Sequence, residues 1–427
     1  MTEDAGVSAE ARALDAADPL AGFRARFRLP DGPDGRPALY FCGNSLGPMP
    51  FDAERRVLEV LGDWATLAVR GHHTGPAPWL HFHEQFAAPF GRLVGAAPGE
   101  VVAMNTLSVN LHLMLASFYR PDGERHKVLM EKSAFPSDRY AVVSQLGVRG
   151  RRAEESLVEV APREGEALLR TEDLVAAIER EGRSLALVLL PGIQYRTGQV
   201  LDIAALTRAG RAVGARVGWD LAHSVGNVPV AMHDSGADFA VWCTYKYLCG
   251  GPGSIAGAFV HERHAADPAL PRLAGWWGHD AATRFVMGPD FVAMVGAEGW
   301  QLSNPPVLGL APLAAALAIF DAAGRERLRA KSLALTTRLR TLLEARCAGQ
   351  IEIVTPRAPA EHGAQLSIRL RDGAARGRAV FERLMARGLI GDWREPDVVR
   401  LAPAPLYNRF AEVDRAVALF AAALEGR

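Results

Sequence analysis

Lysine is scarce in this chain: only four of its 427 residues are lysine, although lysine and arginine together number 48. Lys331 lies in an amphipathic, arginine-rich helical pattern typical of a solvated surface, and Lys127 and Lys132 flank a short apolar strand. Lys246 alone lies where two apolar segments converge, beside glycines that allow close approach of other groups. A lysine in such surroundings loses its charge readily and can be a nucleophile, with an ordinary strand-end lysine as the alternative.

The chain also has no formal net charge and few cysteines. The 48 basic and 48 acidic residues cancel, and no basic face is evident, which argues against nucleic acid or an anionic membrane as the main partner. The four cysteines lack metal-ligand spacing and are typical of reduced residues in a cytoplasmic protein. His81 and His83 point to different sides of a helix, so the sequence predicts no metal site. No apolar run approaches the roughly 18 residues of a membrane span, and the N-terminus lacks a signal core.

The most informative stretch covers residues 218–261. One apolar strand pattern ends on Asp220, with His223 three residues later, and a second leads into Tyr245 and Lys246. A carboxylate at one strand end and a Tyr-Lys pair at the next are what a pyridoxal 5'-phosphate site requires. The lysine amine forms a Schiff base with the cofactor aldehyde, and the carboxylate keeps the pyridine nitrogen protonated so that the ring accepts electrons.

Short apolar strands alternate with helical patterns along most of the chain. This alternation predicts an α/β fold with a mostly parallel sheet flanked by helices. Ligands in that architecture bind at the carboxyl ends of the strands. The polar and aromatic residues at or near predicted strand ends are Ser108, Phe135, Asp138, Asp220, His223 and Lys246.

The helical patterns also suggest a domain division. A helix predicted over residues 9–27 belongs to an N-terminal segment, 1–40, which we expect to pack with the small domain. Residues 41–323 would form the large cofactor-binding domain. Residues 324–427 would form a small C-terminal α+β domain.

For several residues, the sequence alone allows two interpretations. Ser45 lies in a glycine loop that either connects a strand to a helix or faces a ligand. His72 fits a substrate loop or the surface equally well. Ser108 fits a helix N-cap and a phosphate site, which are compatible. Trp276 is typical of core or interface. Arg400 either faces solvent between apolar neighbours or grips a substrate carboxylate.

Eight short motifs occur one after another along the chain, from about Tyr40 to Asn408. They are YFCGNSLGPMP, NTLSVNLH, FPSD, DLAHSVGNV, YKYL, GWWGH, LSNPP and RLAPAPLYN. In these motifs the chain resembles the kynureninases. The resemblance implies fold type I, the aspartate aminotransferase architecture, with pyridoxal phosphate as cofactor. It further implies hydrolysis of the Cβ–Cγ bond of L-kynurenine or 3-hydroxy-L-kynurenine, which yields anthranilate or 3-hydroxyanthranilate and L-alanine in tryptophan catabolism and NAD biosynthesis.

The resemblance also implies residue roles. Lys246 would carry the cofactor, Asp220 would pair with its ring nitrogen, and Tyr245 is our candidate for moving protons on the substrate. Cofactor contacts would come from Leu107, Ser108, Phe135, Asp138, Asp220, His223, Tyr245, Lys246, Trp276 and Asn304. Substrate contacts would come from Ser45, His72, Asn304 and Arg400, with Arg400 on the α-carboxylate. Ser108 stands where many members have Thr, which keeps the hydroxyl, and Pro191 replaces a polar contact of some members, so that contact is not expected.

Fold-type-I enzymes place the site at a subunit interface, so the resemblance also implies a homodimer. Two alternatives compete with a kynureninase. A cysteine desulfurase of the same fold needs a nucleophilic cysteine on a mobile loop, and none of the four cysteines has that setting. A non-catalytic scaffold would be expected to lack Asp220 or Lys246, and both are present.

Overall fold

The computed structural model describes residues 6–267 and 269–426. Its helices are α1 (Ala9–Ala16), α2 (Phe51–Leu67), α3 (Ala87–Val94), α4 (Leu107–Phe118), α5 (Pro136–Val148), α6 (Ala153–Ser156), α7 (Thr171–Glu181), α8 (Ile203–Ala212), α9 (Met232–Ser235), α10 (Val307–Ala323), α11 (Arg325–Arg346), α12 (Ala374–Ala386) and α13 (Phe410–Leu424). Its strands are β1 (Phe27–Arg28), β2 (Leu39–Tyr40), β3 (Met49–Pro50), β4 (Val101–Ala103), β5 (Lys127–Glu131), β6 (Leu157–Val160), β7 (Leu185–Pro191), β8 (Arg216–Asp220), β9 (Phe239–Trp242), β10 (Gly257–Val260), β11 (Ile351–Ile353), β12 (Leu366–Leu370), β13 (Leu389–Ile390), β14 (Asp392–Arg394) and β15 (Val398–Leu401).

A seven-stranded sheet with the order β4-β10-β9-β8-β7-β5-β6 forms the centre of the fold. The pairs from β9 through β6 are parallel, and β10 is antiparallel to both of its neighbours. Six of the seven strands are largely buried on both faces, and the edge strand β6 is partly exposed. Along β9, Phe239 and Val241 belong to one hydrophobic core, whereas Ala240 and Trp242 belong to the other. This alternation is the period of two that puts successive side chains on opposite faces, and it confirms the predicted α/β class with helices on both sides.

A four-stranded antiparallel sheet, β11-β12-β15-β14, lies towards the C-terminus. It contributes to a third core together with α11, α12 and α13. The same core contains Ala11, Leu39 and Phe41 from the N-terminal segment, and β2 pairs with β13 in parallel. Ala11 and Leu39 thus pack with the C-terminal sheet and its helices, whereas Leu20 and Phe27 belong to a core of the central sheet.

The N-terminal helix is shorter than the apolar pattern predicts. The pattern indicated one helix over residues 9–27, but α1 ends at Ala16 and a 3₁₀ turn covers Ala21–Arg26. Asp18 accepts a hydrogen bond from the Leu20 amide at 2.8 Å, and Pro19 has no amide hydrogen to continue the helix. The hydrogen bond to Asp18 and the proline at position 19 thus end the helix, although the apolar pattern continues to residue 27.

The expectation that Lys331 is a solvated surface residue is wrong. Its side chain is buried, and its Nζ lies 2.7 Å from Oδ2 of the equally buried Asp18. Burial lowers the pKa of Lys331, although Asp18 opposes that shift. The helical pattern of α11 was read correctly, but the sequence does not reveal that the N-terminal segment covers this face.

Among the described residues, no single helix is both long enough and apolar enough to cross a membrane. Only α10 and α11 taken together meet both conditions, and that pair is bent by 85°.

Candidate active site

A cavity opens where β5, β7 and β8 end, at the carboxyl edge of the central sheet. It is lined by Leu107, Ser108, Glu131, Phe135, Ser137, Asp138, Pro191, Ile193, Tyr195, Asp220, Ala222, His223, Tyr245 and Lys246. The predicted site residues that it brings together are Leu107, Ser108, Phe135, Asp138, Asp220, His223, Tyr245 and Lys246. They come from separate segments of the sequence, and the parallel topology is what brings their strand ends to one edge.

Lys246 points its amine at an imidazole. Its Nζ lies 3.0 Å from Nε2 of His223, and 5.8 Å and 5.9 Å from the ring centroids of Phe135 and Tyr245. Burial lowers the pKa of His223 well below its ordinary value, and the positive charges of Lys246, Arg400 and Arg394 lower it further. His223 is therefore a neutral imidazole that accepts a hydrogen bond from the lysine, which orients the amine in the cavity.

Three carboxyl groups, those of Glu131, Asp138 and Asp220, are buried together beside that amine. Burial raises the pKa of Asp138, and the adjacent Asp220 raises it further. Burial likewise raises the pKa of Glu131 to about 8. Asp138 Oδ1 and Glu131 Oε2 have no hydrogen-bond partner, and such buried orphan acceptors are costly. A protonated ring nitrogen would supply the positive charge and the donor that this group of acids lacks, which fits a pyridoxal ring.

The opposite wall of the cavity suits a phosphate. Helix α4 begins at Leu107, and its N-cap residue, Thr106, makes no side-chain hydrogen bond to the helix. The first amides of a helix carry unsatisfied hydrogens and a partial positive charge, and they bind anions. Ser108 Oγ lies 2.8 Å from Ser137 Oγ of α5, so two hydroxyls stand beside these amides. The cavity thus offers an acidic end for a ring nitrogen and a donor-rich end for a phosphate.

The glycine loop 43–48 is anchored against the turn that carries Lys246. The Gly47 amide donates to the carbonyl of Tyr245 at 2.8 Å, and a Cβ at Gly47 would lie 2.5 Å from the carbonyl of Lys246. Only glycine fits so close an approach. Ser45, two residues earlier, is therefore held near the lysine turn, although it does not line the cavity.

Arg400 is completely buried, so the interpretation of a solvent-facing arginine is wrong. Its guanidinium donates to the carbonyl of Tyr195 at 2.6 Å and to Oδ2 of Asp392, and its Nε has no partner. Asp392 also accepts from Arg394 at 2.9 Å. Tyr195 lines the cavity and packs edge-on against Phe135, so Arg400 lies one residue behind the cavity wall.

His72, Trp276 and Asn304 do not join Lys246 within one chain. His72 and Asn304 line a separate apolar pocket with Trp64 and Trp79. The Trp276 indole donates to the carbonyl of Arg284 at 3.2 Å, and its side chain is half-exposed. His72 is partly buried, whereas Trp276 and Asn304 are exposed.

Sequence comparison identifies relatives across nearly the whole chain. Residues 328–420 match the family described as the kynureninase C-terminal domain. The chain is 57% identical to a kynureninase of Stenotrophomonas maltophilia (strain K279a), with 94% of each chain covered. It is 58% identical to a kynureninase of Xanthomonas euvesicatoria pv. vesicatoria (strain 85-10), with 95% of each covered, and 55% identical to one of Myxococcus xanthus (strain DK1622), with 97% of this chain and 96% of that one covered.

The chain belongs to the kynureninase family. Solved structures with the same fold come from more distant proteins. An apo cysteine desulfurase of Thermococcus onnurineus NA1 superposes with a TM-score of 0.73 at 18% identity, over 94% of this chain and 99% of that one. A mutant of the lyase C-DES, with glycine covalently linked to its PLP cofactor, superposes with a TM-score of 0.74 at 17% identity, over 93% and 98%. At such identities these similarities show the shared fold-type-I architecture alone.

The cysteines of this kynureninase-family chain do not have the setting that a desulfurase requires. Cys42, Cys243, Cys249 and Cys347 are all buried. Burial raises the pKa of each thiol, to about 12 for Cys42 and about 11 for Cys347. A reactive cysteine is instead exposed and has a lowered pKa. The desulfurase-like fold therefore carries no desulfurase nucleophile here.

Sequence reasoning missed several members of the site. Glu131 ends a strand that was predicted correctly, so its position at the carboxyl edge was a usable signal. Ser137 lies within the FPSD motif, between two residues that were predicted. Asp392 and Arg394 belong to β14, a three-residue edge strand whose sequence has no apolar alternation to mark it.

Proposed function

We propose that this chain hydrolyses the Cβ–Cγ bond of L-kynurenine or 3-hydroxy-L-kynurenine, releasing L-alanine and the corresponding anthranilate. The observation that carries the proposal is the pairing of Lys246 with the neutral His223 in the cavity that also contains Asp220. Water supplies the hydroxyl of the new carboxylate and the proton that Cβ gains, so the reaction needs no redox partner. Membership of the kynureninase family supports this reaction over others of the same fold.

The chain's own residues have distinct tasks in this proposal. Pyridoxal phosphate, when bound, supplies an electron-accepting ring next to the substrate α-carbon. Lys246 would hold the cofactor and move the α-proton, while His223 would orient the amine through their 3.0 Å contact. Asp220 accepts the hydrogen bond of the ring nitrogen, and Phe135 covers the ring. The amides of α4, with Leu107 and Ser108, hold the phosphate.

Tyr245 is the proposed proton carrier at Cβ and at the substrate carbonyl. Burial raises the pKa of its phenol, so the group is a neutral donor at physiological pH. Neighbouring hydrogen-bond donors would stabilise the oxyanion of the hydrated ketone as charge develops there. The Lys246 amine lies 5.9 Å from the centroid of the Tyr245 ring, and both residues line the cavity.

Arg400 is the proposed clamp for the substrate α-carboxylate. Arg394 and Arg400 share a single carboxylate, Asp392, so the group carries an excess positive charge. That charge reaches the cavity, because it contributes to the low pKa of His223. The unpartnered Nε of Arg400 is a buried donor, and a substrate carboxylate would complete its hydrogen bonds.

Product analysis tests the reaction directly. The purified protein with added pyridoxal phosphate should release equimolar alanine and anthranilate from L-kynurenine, and alanine and 3-hydroxyanthranilate from the 3-hydroxy substrate. A comparison of kcat/KM for L-kynurenine and 3-hydroxy-L-kynurenine shows which substrate the enzyme prefers. L-Cysteine serves as the control and should give no alanine, because no cysteine in the described chain is exposed to carry sulfur. Alanine from cysteine but not from either kynurenine would overturn the proposal.

We also propose that the protein acts as a cytoplasmic homodimer with sites at the subunit interface. The four buried free thiols support a reducing compartment. Helix α2 exposes Leu58 and Trp64, each 58% accessible, beside the apolar pocket of His72 and Asn304. Apolar surface of this kind marks an interaction site. A second copy seated there would place His72, Asn304 and Trp276 at its partner's cavity, where the family resemblance expects them.

Mixing two defective variants tests this arrangement. Lys246→Ala and His72→Ala proteins, unfolded and refolded together, should form mixed dimers in which one of the two sites is intact. The mixture should then show a kcat/KM clearly above the mean of its parents, by up to about a quarter of the wild-type value. A mixture that matches the parental mean would show that His72 serves its own subunit, or that the subunits do not associate.

A further inference from the structure

Glu100, His233 and His261 meet at the sheet edge that faces away from the cavity. Glu100 ends the turn before β4, His233 lies in α9, and His261 directly follows β10. Strand β10 begins opposite Trp242, which leads to Lys246, and ends opposite Phe239 at the start of β9. The three side chains are thus separated from the cofactor cavity by the length of a strand.

The ligand atoms of these residues have the spacing of a metal site. His233 Nδ1 lies 3.0 Å from both oxygens of Glu100, and His261 Nδ1 lies 3.6 Å from Oε1. Three such atoms, one from each residue, all lie within 4.8 Å of one another. In tetrahedral zinc sites, with bonds of about 2.0–2.2 Å, neighbouring ligand atoms are roughly 3.3 Å apart. The observed distances to Glu100, 3.0 Å from His233 and 3.6 Å from His261, lie below and above that spacing.

The protein holds the carboxylate in place. Glu100 Oε1 accepts the amide of Glu262 at 2.8 Å and Oε2 accepts that of Ala97 at 2.9 Å, with the side chain only 2% exposed. Each oxygen keeps a second lone pair. The two imidazole rings are stacked, 5.1 Å between centroids, and both direct Nδ1 towards Glu100. The fold therefore fixes the carboxylate, and His233 completes the cluster from the surface side, where it is 38% exposed.

One contact within the cluster brings two acceptor atoms face to face. His261 Nδ1 accepts a long hydrogen bond from the Arg263 amide, 3.3 Å, so it carries no proton in that arrangement. It then faces Glu100 Oε1 across 3.6 Å as a second acceptor with no donor between them. A metal ion coordinated by both atoms would remove this repulsion, and His261 Nδ1 would exchange its long hydrogen bond from the Arg263 amide for the metal bond.

We propose that Glu100, His233 and His261 bind a divalent cation of the zinc class, with water in the remaining position. Two imidazoles and one carboxylate form a ligand set that suits zinc. The ion would link the start of β4, helix α9 and the end of β10, three segments distant in sequence. Its effect would be on stability, because the site lies away from the cavity. The competing explanation is a protonated His233 paired with Glu100, with no metal.

Zinc titration of the cofactor-loaded full chain, freed of metal by a chelator, separates the two. Calorimetry should show one site in the wild type, and His233→Ala and His261→Ala should each weaken it at least about tenfold. His81→Ala is the matched control, since His81 forms a similar pair with Glu84, 2.7 Å, on an exposed surface. The control should bind zinc like the wild type.

Thermal unfolding supplies a second readout. Zinc should raise the Tm of the wild type and of His81→Ala but not that of His233→Ala, which removes a side chain that is 38% exposed. Turnover by His233→Ala should equal that of the wild type. Absence of zinc binding, or equal affinity in the wild type, His233→Ala and His261→Ala, would overturn the proposal in favour of the ion pair or of adventitious binding elsewhere.

Discussion

Replacement of Lys246 by alanine should lower kcat by more than about 10³-fold, because the residue serves both as the covalent anchor and as the base. The cofactor should still bind, since the amides of α4, Ser108 and the three buried carboxyl groups remain in place. Dialysis should remove it faster than from the wild type. Steady-state assays of anthranilate release, together with the retained cofactor content, give both quantities.

Lys127→Ala is the matched control for Lys246→Ala. Lys127 lies in the same sheet, at the other end of β5, where its Nζ pairs with Glu181 at 2.7 Å and is 30% exposed. Loss of such a partly exposed pair costs about 1 kcal/mol or less, and kcat should not change. A fully active Lys246→Ala protein, with cofactor bound, would refute the central role of this amine.

Replacement of Arg400 by alanine should raise KM by about 10- to 100-fold, the range expected from loss of a hydrogen bond to a charged group. kcat should change much less, because Arg400 lies behind the cavity wall and does not touch the reacting bonds. Kinetics with L-kynurenine separate the two constants. An inhibitor that retains the aromatic end but lacks the α-carboxylate should bind the wild type and the variant equally.

Arg340→Ala controls for the cost of removing a buried arginine. Arg340 is also buried, and its guanidinium donates to the carbonyls of Thr355 and Pro356 at 2.8 Å. This variant should unfold at a lower temperature than the wild type while KM stays unchanged. If KM does not rise in Arg400→Ala, or rises equally in Arg340→Ala, Arg400 is not the carboxylate clamp.

The sequence revealed the half of the site that lies on regular strands. Asp220 ends β8 and Lys246 follows β9 after a short turn, so the topology rule that ligands bind at carboxyl ends was enough to bring them together. It could not reveal the pairing of Arg400 with Asp392, because antiparallel register across β14 and β15 decides it. Burial was also hard to predict: Lys331 has a surface-like pattern but is covered by the N-terminal segment.

The sequence patterns also did not reveal contacts between residues that are distant in sequence. Glu100, His233 and His261 lie in three segments with no motif in common, so ligand spacing along the chain gave no signal. His72, Trp276 and Asn304 lie apart from the cavity in the folded chain, and hydrophobic periodicity does not encode that separation. The domain boundaries at residues 40 and 323 stay predictions.

Reduction of the cofactor-loaded protein with borohydride, followed by peptide mapping, tests the central claim most directly. A reduced link between the cofactor and a lysine amine survives digestion and marks the residue that carried it. The structure predicts the label on Lys246, whose amine alone among the four lysines lies in the cavity lining. A label on Lys127, Lys132 or Lys331, or no label on any peptide, would contradict the assignment.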